Sequence, residues 1–227
     1  MKNIIAIDGP AASGKTTLGK LLAGKFDYLF FDTGVMYRAV TLAVINAEIS
    51  ILDKAACSSL AERIKIEVLP PSEEDGRSND LLIDGVDCTW EIVKPEVVAC
   101  VSEISAIPGV RAALTSKQRE IGLRGNVVMV GRDIGTVVLP EAEVKFYLNA
   151  SAEERAKRRY AERAARGEPV DFEELLKVIK HRDEIDSNRE VAPLAAADDA
   201  YILESDGKDA EMVFQEAMEV IKERTLM

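Results

Sequence analysis

The stretch that decides the fold lies near the N-terminus and reads Gly9-Pro10-Ala11-Ala12-Ser13-Gly14-Lys15-Thr16. It matches the pattern G-x-x-x-x-G-K-[ST], in which successive backbone N–H groups and a helix N-terminus face a phosphate. An apolar, β-branched run at 4–7 precedes it, and leucines at helical spacing follow it in 16–25. A strand and an amphipathic helix therefore flank this phosphate loop. The context predicts a nucleoside-triphosphate site in which Lys15 reaches the β- and γ-phosphates and Thr16 binds Mg²⁺.

Strands and helices alternate along most of the chain. Buried strands are predicted at 4–7, 28–31, 127–130, 144–148 and 200–203, with helices between them. Residues 64–68 alternate strictly between apolar and polar, and Asp84-Gly85 marks a type I′ hairpin. The sequence therefore predicts a doubly wound parallel α/β sheet, interrupted within 41–106 by a small antiparallel sheet.

Composition limits the classes of function. The chain has 227 residues, 47% of them hydrophobic, and a formal net charge of −11. This acidity argues against nucleic-acid and membrane partners, because both contacts depend on a basic surface. Three cysteines without CxxC spacing and one histidine disfavour a disulfide framework and a structural metal site. With neither a signal-peptide pattern nor an apolar run of roughly 18 residues, we expect a cytoplasmic protein.

Basic residues nevertheless predominate in 1–40 and in 107–166. Arg38 and Arg132 each follow a predicted strand end, the edge at which open α/β sheets bind ligands. A helix is predicted after Ser151, and helical spacing places four arginines on one stripe of it: Arg155, Arg159, Arg163 and Arg166. One face of the next helix is predicted to carry Arg182, Asp186 and Arg189. A solvated basic face is the alternative for any single arginine, but phosphoryl transfer depends on charge neutralisation, so we expect at least two to meet phosphate.

Several protein classes share such a loop: regulatory GTPases, helicase motors and small-molecule kinases. The chain lacks the N-K-x-D base-reading motif of a GTPase, and Asp133-Ile134-Gly135 has the wrong spacing for its D-x-x-G switch. A motor generally needs a longer chain. These features favour a kinase whose acceptor carries a phosphate.

Four ordered motifs narrow the choice of acceptor. They are the phosphate loop at 9–17, Asp32-Thr33-Gly34-x-x-Tyr37-Arg38, Gly131-Arg132-Asp133-x-Gly135-Thr136-Val137-Val138 and Arg182-Asp183-x-x-Asp186-x-x-Arg189-x-x-x-Pro193-Leu194. Together they resemble bacterial cytidylate kinases over essentially the whole chain. One departure is that the loop has no further glycine between Gly9 and Gly14 or directly after Lys15, where many relatives have one.

The resemblance implies a fold and a reaction. The fold is a P-loop NTPase three-layer α/β/α domain with a parallel five-stranded sheet. A nucleoside-monophosphate-binding insertion with a small antiparallel sheet would occupy 41–106 and a helical lid 152–190, leaving 1–40, 107–151 and 191–227 as the core. The reaction transfers the γ-phosphoryl group of ATP, with Mg²⁺, to CMP or dCMP. We expect a monomer with no nucleic-acid or membrane partner.

The resemblance also assigns residues to sites. ATP would contact Gly9, Pro10, Ala11, Ala12, Ser13, Gly14, Lys15, Thr16 and Thr17. The transferring group would be neutralised by Lys15, Arg132, Arg155, Arg159 and Arg182. Cytosine would be read by Thr33, Ser102, Arg111 and Asp133. The rest of CMP would be bound by Tyr37, by Arg38, Arg132 and Arg189 at its phosphate, and by Asp186 at its sugar.

Elementary chemistry supports several of these roles. A carboxylate such as Asp133 can accept from the exocyclic amine of cytosine, whereas uracil presents a carbonyl there and would be rejected. An ion pair that orients Arg132 is the alternative role for Asp133. The acceptor phosphate oxygen is already deprotonated, so no general base is needed and His181 is expected on the surface. Mg²⁺ would be held by Thr16 and mostly by waters, while Asp32 either contacts a metal-bound water or caps the next helix.

Two rival functions stay open. One is a kinase of the same fold for UMP, AMP, shikimate or gluconate, which the antiparallel insertion and Gly131-Arg132-Asp133 disfavour. The other is a non-enzymatic P-loop switch, which the missing base-reading motif and the two arginine stripes disfavour.

Overall fold

The protein is described by a computed structural model that covers residues 3–69 and 71–225. Its internal contacts divide the chain into two units. The core unit is Met1–Asp32 with Arg119–Met227, and the insert unit is Thr33–Gln118. Residues 1, 2, 70, 226 and 227 of the predicted segments lie outside the described residues. The predicted limits of the insertion and of the lid stay predictions.

Eight strands and eight helices make up the described part of the chain. The strands are β1 (Ile4–Asp8), β2 (Leu29–Asp32), β3 (Ile66–Leu69), β4 (Asp80–Ile83), β5 (Val86–Asp87), β6 (Val127–Gly131), β7 (Val144–Asn149) and β8 (Tyr201–Glu204). The helices are α1 (Lys15–Phe26), α2 (Gly34–Asn46), α3 (Lys54–Arg63), α4 (Pro95–Ala106), α5 (Pro108–Gly122), α6 (Ala152–Ala165), α7 (Phe172–Asn188) and α8 (Ala210–Thr225). Among the described residues no single helix has both the length and the apolar composition to cross a membrane, although α4 and α5 meet that test jointly as a bent pair.

The core unit contains the predicted five-stranded parallel sheet, in the order β2-β6-β1-β7-β8. The predicted three-layer α/β/α fold with a small antiparallel sheet is confirmed. Asp8 lies beside Gly131 of β6 and Tyr147 of β7, and Asp32 lies beside Val130. The carboxyl ends of four neighbouring strands therefore meet at one edge, where ligands bind in open α/β sheets.

Helices α1 and α8 pack against one face of this sheet. Their buried apolar residues are Leu18, Leu22, Ala23, Val213, Ala217, Met218 and Ile221. Each fully buried leucine of this layer contributes roughly 2 kcal/mol by removal from water. At Gly19 a Cβ would lie 2.7 Å from the Phe30 ring and 2.9 Å from the Val130 side chain. Only glycine permits this approach, so the packing of α1 fixes the position of the loop that precedes it.

The insert unit has a core of its own. It contains α2, α3, α4, most of α5 and an antiparallel sheet in the order β3-β4-β5. The predicted type I′ hairpin is present, because Asp84 and Gly85 have φ values of 50° and 84°. Buried side chains from three elements and a 3₁₀ turn meet in the cluster Ala39, Leu42, Leu81, Ile92 and Val97. The patterns did not single out α3, which Asp53 caps by accepting from the Ala56 N–H.

Helices α6 and α7 carry the two predicted arginine stripes, but the last arginine of each stripe lies beyond the end of its helix. Ser151 accepts from the Glu154 N–H at 3.2 Å, which confirms the predicted cap of α6. The helix ends at Ala165, and Gly167 then adopts the left-handed φ of 72° typical of a helix terminus. Arg189 likewise follows the end of α7 in extended backbone. The predicted helical stripes are therefore wrong at their last members, Arg166 and Arg189.

The segment after β6 is more than a plain connecting loop. Residues Ile134–Val138 form one turn of π-helix, called the π turn below. The N–H groups of Val138 and Leu139 donate to carbonyls five residues earlier, those of Asp133 and Ile134, at 3.0 and 2.6 Å. A distant carboxylate stabilises this uncommon turn.

Candidate active site

The phosphate loop takes backbone conformations that small residues allow. Gly9, Ala12 and Gly14 have φ values of 148°, 61° and 102°. A Cβ at Gly9 would lie 2.3 Å from the Leu148 carbonyl oxygen, so no other residue fits there. Gly14 is the N-cap of α1 and has no side chain to occupy the first N–H groups of the helix. Those groups suit an anion at the helix N-terminus.

Lys15 is buried within the loop. Its Nζ donates to the Pro10 carbonyl oxygen at 2.6 Å and to Ser13 Oγ at 3.3 Å. Burial and the charge of Arg132 lower the pKa of Lys15 well below its usual value, and the carboxylates of Asp32 and Asp8 oppose this. A phosphate bound to the loop would restore the charged form, because it replaces lost solvation with an opposite charge.

Asp8 ends β1 and connects the loop to the π turn. It is 3% exposed, and its two carboxylate oxygens accept from the N–H groups of Ile134 and Gly135, each at 2.7 Å. Burial raises the pKa of Asp8 to about 6, although both backbone bonds act against the rise. Asp8 therefore joins β1 to the residues that directly follow Arg132 and Asp133.

Five charged residues form what we call the Asp186 cluster: Arg132, Asp133, Arg182, Asp186 and Arg189. Arg132 Nε donates to Asp186 Oδ2 at 2.9 Å. Arg189 lies 3.4 Å from Asp133 Oδ1 and 3.9 Å from Asp186 Oδ1. Burial alone would raise the pKa of Asp186, but Arg132, Arg182 and Arg189 lower it below its usual value. Three arginines thus share two carboxylates, and Asp133 forms an ion pair with Arg189, whereas the ion pair considered from the sequence was with Arg132.

Two arginines of α6 hold the phosphate loop from its carbonyl side. Arg155 has a side chain only 4% exposed, donates to the Ala11 carbonyl oxygen at 3.1 Å and forms a two-bond ion pair with Asp183. Arg158 donates to the Ser13 carbonyl oxygen at 3.3 Å and to Ser205. Both side chains stabilise the loop conformation.

The remaining arginines of this region divide into two groups. Arg163 and Arg166 pair with Glu168, and their side chains are 36% and 61% exposed, which fits the surface alternative considered for such residues. Arg159 is also half-exposed, 44%, and lies 3.2 Å from Glu162. Arg182 instead acts on buried groups, because its charge lowers the pKa of both Lys15 and Asp186. His181 lies on the surface of α7, as expected.

The insert unit brings several predicted residues together by itself. The Arg111 side chain is almost fully buried, with its guanidinium carbon 5.3 Å from the centre of the Tyr37 ring. It donates to the Ser105 carbonyl oxygen at 3.2 Å, and Ser105 in turn donates to the Ser102 carbonyl oxygen. Thr33 is buried at the N-cap of α2, and Arg38 is half-buried one turn later.

Sequence reasoning missed four residues of the core-unit site: Asp8, Arg158, Asp183 and Ser205. Asp8 had a local signal, since it is a charged residue that ends a buried strand directly before the loop. Arg158, Asp183 and Ser205 had no such local signal, because the residues that they contact in the site lie 28 or more positions away along the chain.

Comparisons with known proteins agree on one family. The family model described as Cytidylate kinase matches residues 5–223. The chain is 48% identical to the cytidylate kinase of Herpetosiphon aurantiacus over 96% of its own length and 93% of that protein. It is 50% identical to the cytidylate kinase of Desulforamulus reducens over 89% of each. A solved structure of an uncharacterized protein from Eubacterium ventriosum shares the fold, with a TM-score of 0.51 and 12% identity over 98% of this chain and 99% of that one. The chain therefore belongs to the cytidylate kinase family.

Proposed function

We propose that this chain transfers the γ-phosphoryl group of ATP to CMP or dCMP, giving CDP or dCDP. One observation carries the proposal: Lys15, buried in the phosphate loop, lies close enough to the Asp186 cluster for the charges of Arg132 and Arg182 to lower its pKa. Two phosphate-bearing anions need a concentration of positive charge of this kind before they can approach each other. Membership of the cytidylate kinase family supports the same reaction.

Transfer needs positioning and charge neutralisation rather than proton transfer, because the acceptor is an ionised phosphate oxygen. Lys15 neutralises the β- and γ-phosphates from within the loop, and Arg132 and Arg182 act from the Asp186 cluster. Arg155 contributes positive charge and fixes the loop through the Ala11 carbonyl oxygen. Arg159, which is half-exposed, turns from Glu162 to the nucleotide phosphates.

Recognition of the acceptor base rests on Asp133. Its carboxylate pairs with Arg189 and can accept from the exocyclic amine of cytosine. Uracil would place a carbonyl oxygen against the same carboxylate, and an unpaired buried polar contact is costly. CMP binding further uses Thr33, Tyr37, Arg38, Ser102, Arg111, Arg132, Asp186 and Arg189.

Mg²⁺ is the implied cofactor, and the residues present suit it. The ion keeps several waters and takes few protein ligands, all oxygen. Thr16 offers an exposed hydroxyl directly after Lys15, which is suited to such a role. Asp32, at the carboxyl end of β2, would contact a metal-bound water. When bound, Mg²⁺ neutralises charge on the β- and γ-phosphates.

The predicted organisation completes the proposal. Residues 152–190 act as a lid that excludes water during transfer and so limits hydrolysis of ATP. The two-bond ion pair between Arg155 and Asp183 connects the two lid helices. Residues 41–106 serve the nucleoside monophosphate. We propose that the protein works as a monomer in the cytoplasm, without nucleic-acid or membrane partners.

A coupled assay of ADP release tests the proposal. Purified protein with MgATP is given CMP, dCMP, UMP, AMP or shikimate, and kcat/KM is measured for each. We expect CMP and dCMP to be turned over at least about 100-fold more efficiently than the others, as expected when a site hydrogen-bonds a group that competitors lack. The Lys15→Ala variant serves as the blank for contaminating kinases.

The other outcomes distinguish the rival functions. Preferred turnover of UMP, AMP or shikimate would assign another acceptor to the same fold. Tight binding of nucleotide without turnover of any acceptor would favour a P-loop switch.

A further inference from the structure

We propose that Asp8 is a positioning residue for base selection. It caps the π turn in place of Asp133, and thereby keeps the Asp133 carboxylate from turning to its own backbone and away from the cytosine amine. The inference rests on the proposed function, because it concerns the residue that reads the acceptor base.

The geometry shows an exchange of capping roles. Asp133 occupies the N-cap position of the π turn, where an aspartate side chain ordinarily accepts from the first N–H groups. Here the Asp133 side chain makes no such bond. Asp8 accepts from Ile134 and Gly135 instead, each at 2.7 Å, although it lies 126 and 127 residues earlier in the chain. The Asp133 carboxylate pairs with Arg189.

The surrounding residues are shaped for this contact. A Cβ added to Gly135 would lie 3.1 Å from Lys145 Cδ and 3.4 Å from Asp8 Oδ2, so a side chain there would crowd Lys145 and touch the carboxylate. Parallel pairing sets Asp8 directly beside Gly131, two residues before Asp133. A carboxylate with two nearly equal bonds also fixes the plane of the turn better than a single acceptor does.

Removing this cap leaves two buried N–H groups without an acceptor. The nearest replacement acceptor for the Gly135 N–H is the Asp133 side chain, because an N-cap aspartate reaches N–H groups two or three residues ahead. Asp133 would then turn toward its own backbone and away from the base. Loss of Asp8 should therefore reduce discrimination between CMP and UMP, rather than the binding of ATP.

A double-mutant cycle tests this mechanism. Asp8→Asn has nearly the same shape but presents an amide N–H₂ to one of the two N–H groups. We expect it to lower the CMP-over-UMP ratio of kcat/KM about tenfold and to raise KM for CMP, while KM for ATP changes less than about twofold. In the Asp133→Ala background, the same substitution should leave the ratio unchanged, because the reading carboxylate is already absent.

Two further variants serve as a second test of the contact and as a control. Gly135→Ala disturbs the same contact while both carboxylates are kept, and it should lower the ratio in the same direction if Asp8→Asn fails to fold. Asp209→Asn is the matched control, since Asp209 also accepts a backbone N–H, that of Met212 at 2.8 Å, at the exposed start of α8. It should leave the ratio unchanged.

Three results would overturn the inference. They are an unchanged ratio in Asp8→Asn and Gly135→Ala, equal loss of ATP and CMP affinity, or effects of Asp8→Asn and Asp133→Ala on the ratio that add. If the unsubstituted protein prefers another acceptor to CMP, the proposed function fails, and the inference fails with it. Normal CMP preference combined with any of the three results refutes the inference alone.

Discussion

Two charged clusters of this protein have opposite net charge. In the core unit, the Asp186 cluster has three arginines and two carboxylates. In the insert unit, Arg77 contacts Asp75, Asp80 and Asp87 within 2.9 Å and Glu73 at 3.7 Å, a set we call the Arg77 cluster. The first cluster is net positive and the second is net negative.

The difference separates a ligand site from a structural contact. Carboxylates surround Arg77 and raise its pKa. Hydrogen bonds in turn lower the pKa values of three of these carboxylates, those of Asp75, Asp80 and Asp87; the donors are Arg77, Trp90, Ser72 and Thr89. The ion pairs of Arg77 therefore connect β4, β5 and the preceding loop. In the Asp186 cluster the carboxylates hold the arginines in place without cancelling their charge. An anion is needed to balance it, which is what a phosphate-binding site requires.

The largest expected effect belongs to Lys15, whose charge adds to that of the Asp186 cluster. Lys15→Ala should lower kcat about 10³-fold or more, since a charge aimed at the transferring phosphate is removed. The fold should persist, because the loop keeps its glycines and α1 keeps its apolar face. Steady-state kinetics and circular dichroism measure the two quantities. Turnover near that of the unsubstituted protein would contradict the site.

The pH dependence of stability should differ between the two regions. Asp8 has its pKa raised from 3.8 to about 6, so between these pH values the folded protein holds a proton that the unfolded chain has released. Its contribution to stability therefore falls as pH rises across that interval. The unsubstituted protein should therefore lose on the order of 3 kcal/mol of unfolding free energy between pH 4 and 7 that the Asp8→Asn variant does not lose. The difference in stability between the two proteins should shift by that amount in favour of the variant.

Urea unfolding at several pH values measures this difference. Within the Arg77 cluster, Asp75, Asp80 and Asp87 have lowered pKa values, so their contribution to stability is present above about pH 4 and is lost as the pH falls further. A difference between Asp8→Asn and the unsubstituted protein that stays constant from pH 4 to 7 would show that Asp8 titrates normally.

Replacing one arginine in each cluster separates function from folding. Arg132→Ala should lower kcat/KM for CMP about 100-fold, because it removes a charged contact to phosphate. Arg77→Ala should instead lower Tm, since four carboxylates lose their common partner, with little change in kcat/KM at 25 °C. Kinetics and thermal unfolding of both variants test the distinction. An equal loss of kcat/KM in both would contradict it.

A smaller effect is expected within the Asp186 cluster itself. Asp133→Ala should narrow the CMP-over-UMP ratio of kcat/KM about tenfold, since one hydrogen bond to the cytosine amine is lost. Thermal unfolding shows whether the loss of the Arg189 partner also matters for stability. A ratio equal to that of the unsubstituted protein would exclude base reading by Asp133.

The phosphate loop illustrates what local sequence can predict. Its conformation follows from glycines that must take positive φ and from a helix that starts at Lys15, and both are readable within eight residues. The strands were predictable for the same reason, since apolar runs report burial. The last member of each arginine stripe was not, because helical spacing does not show where a helix stops, and α6 and α7 end at Ala165 and Asn188.

The sequence by itself determined the phosphate loop, the alternation of strands and helices, and the set of arginines available to phosphate. Only the tertiary structure decided which arginines act where: Arg132 and Arg189 with Asp186, Arg155 behind the loop, and Arg163 toward solvent. It also decided that Asp8 caps a turn more than 120 residues away. The physical reason is how far apart along the chain the interacting residues lie. Backbone conformation and burial depend on neighbouring residues, whereas ion pairs and caps depend on which distant segments the parallel sheet places side by side.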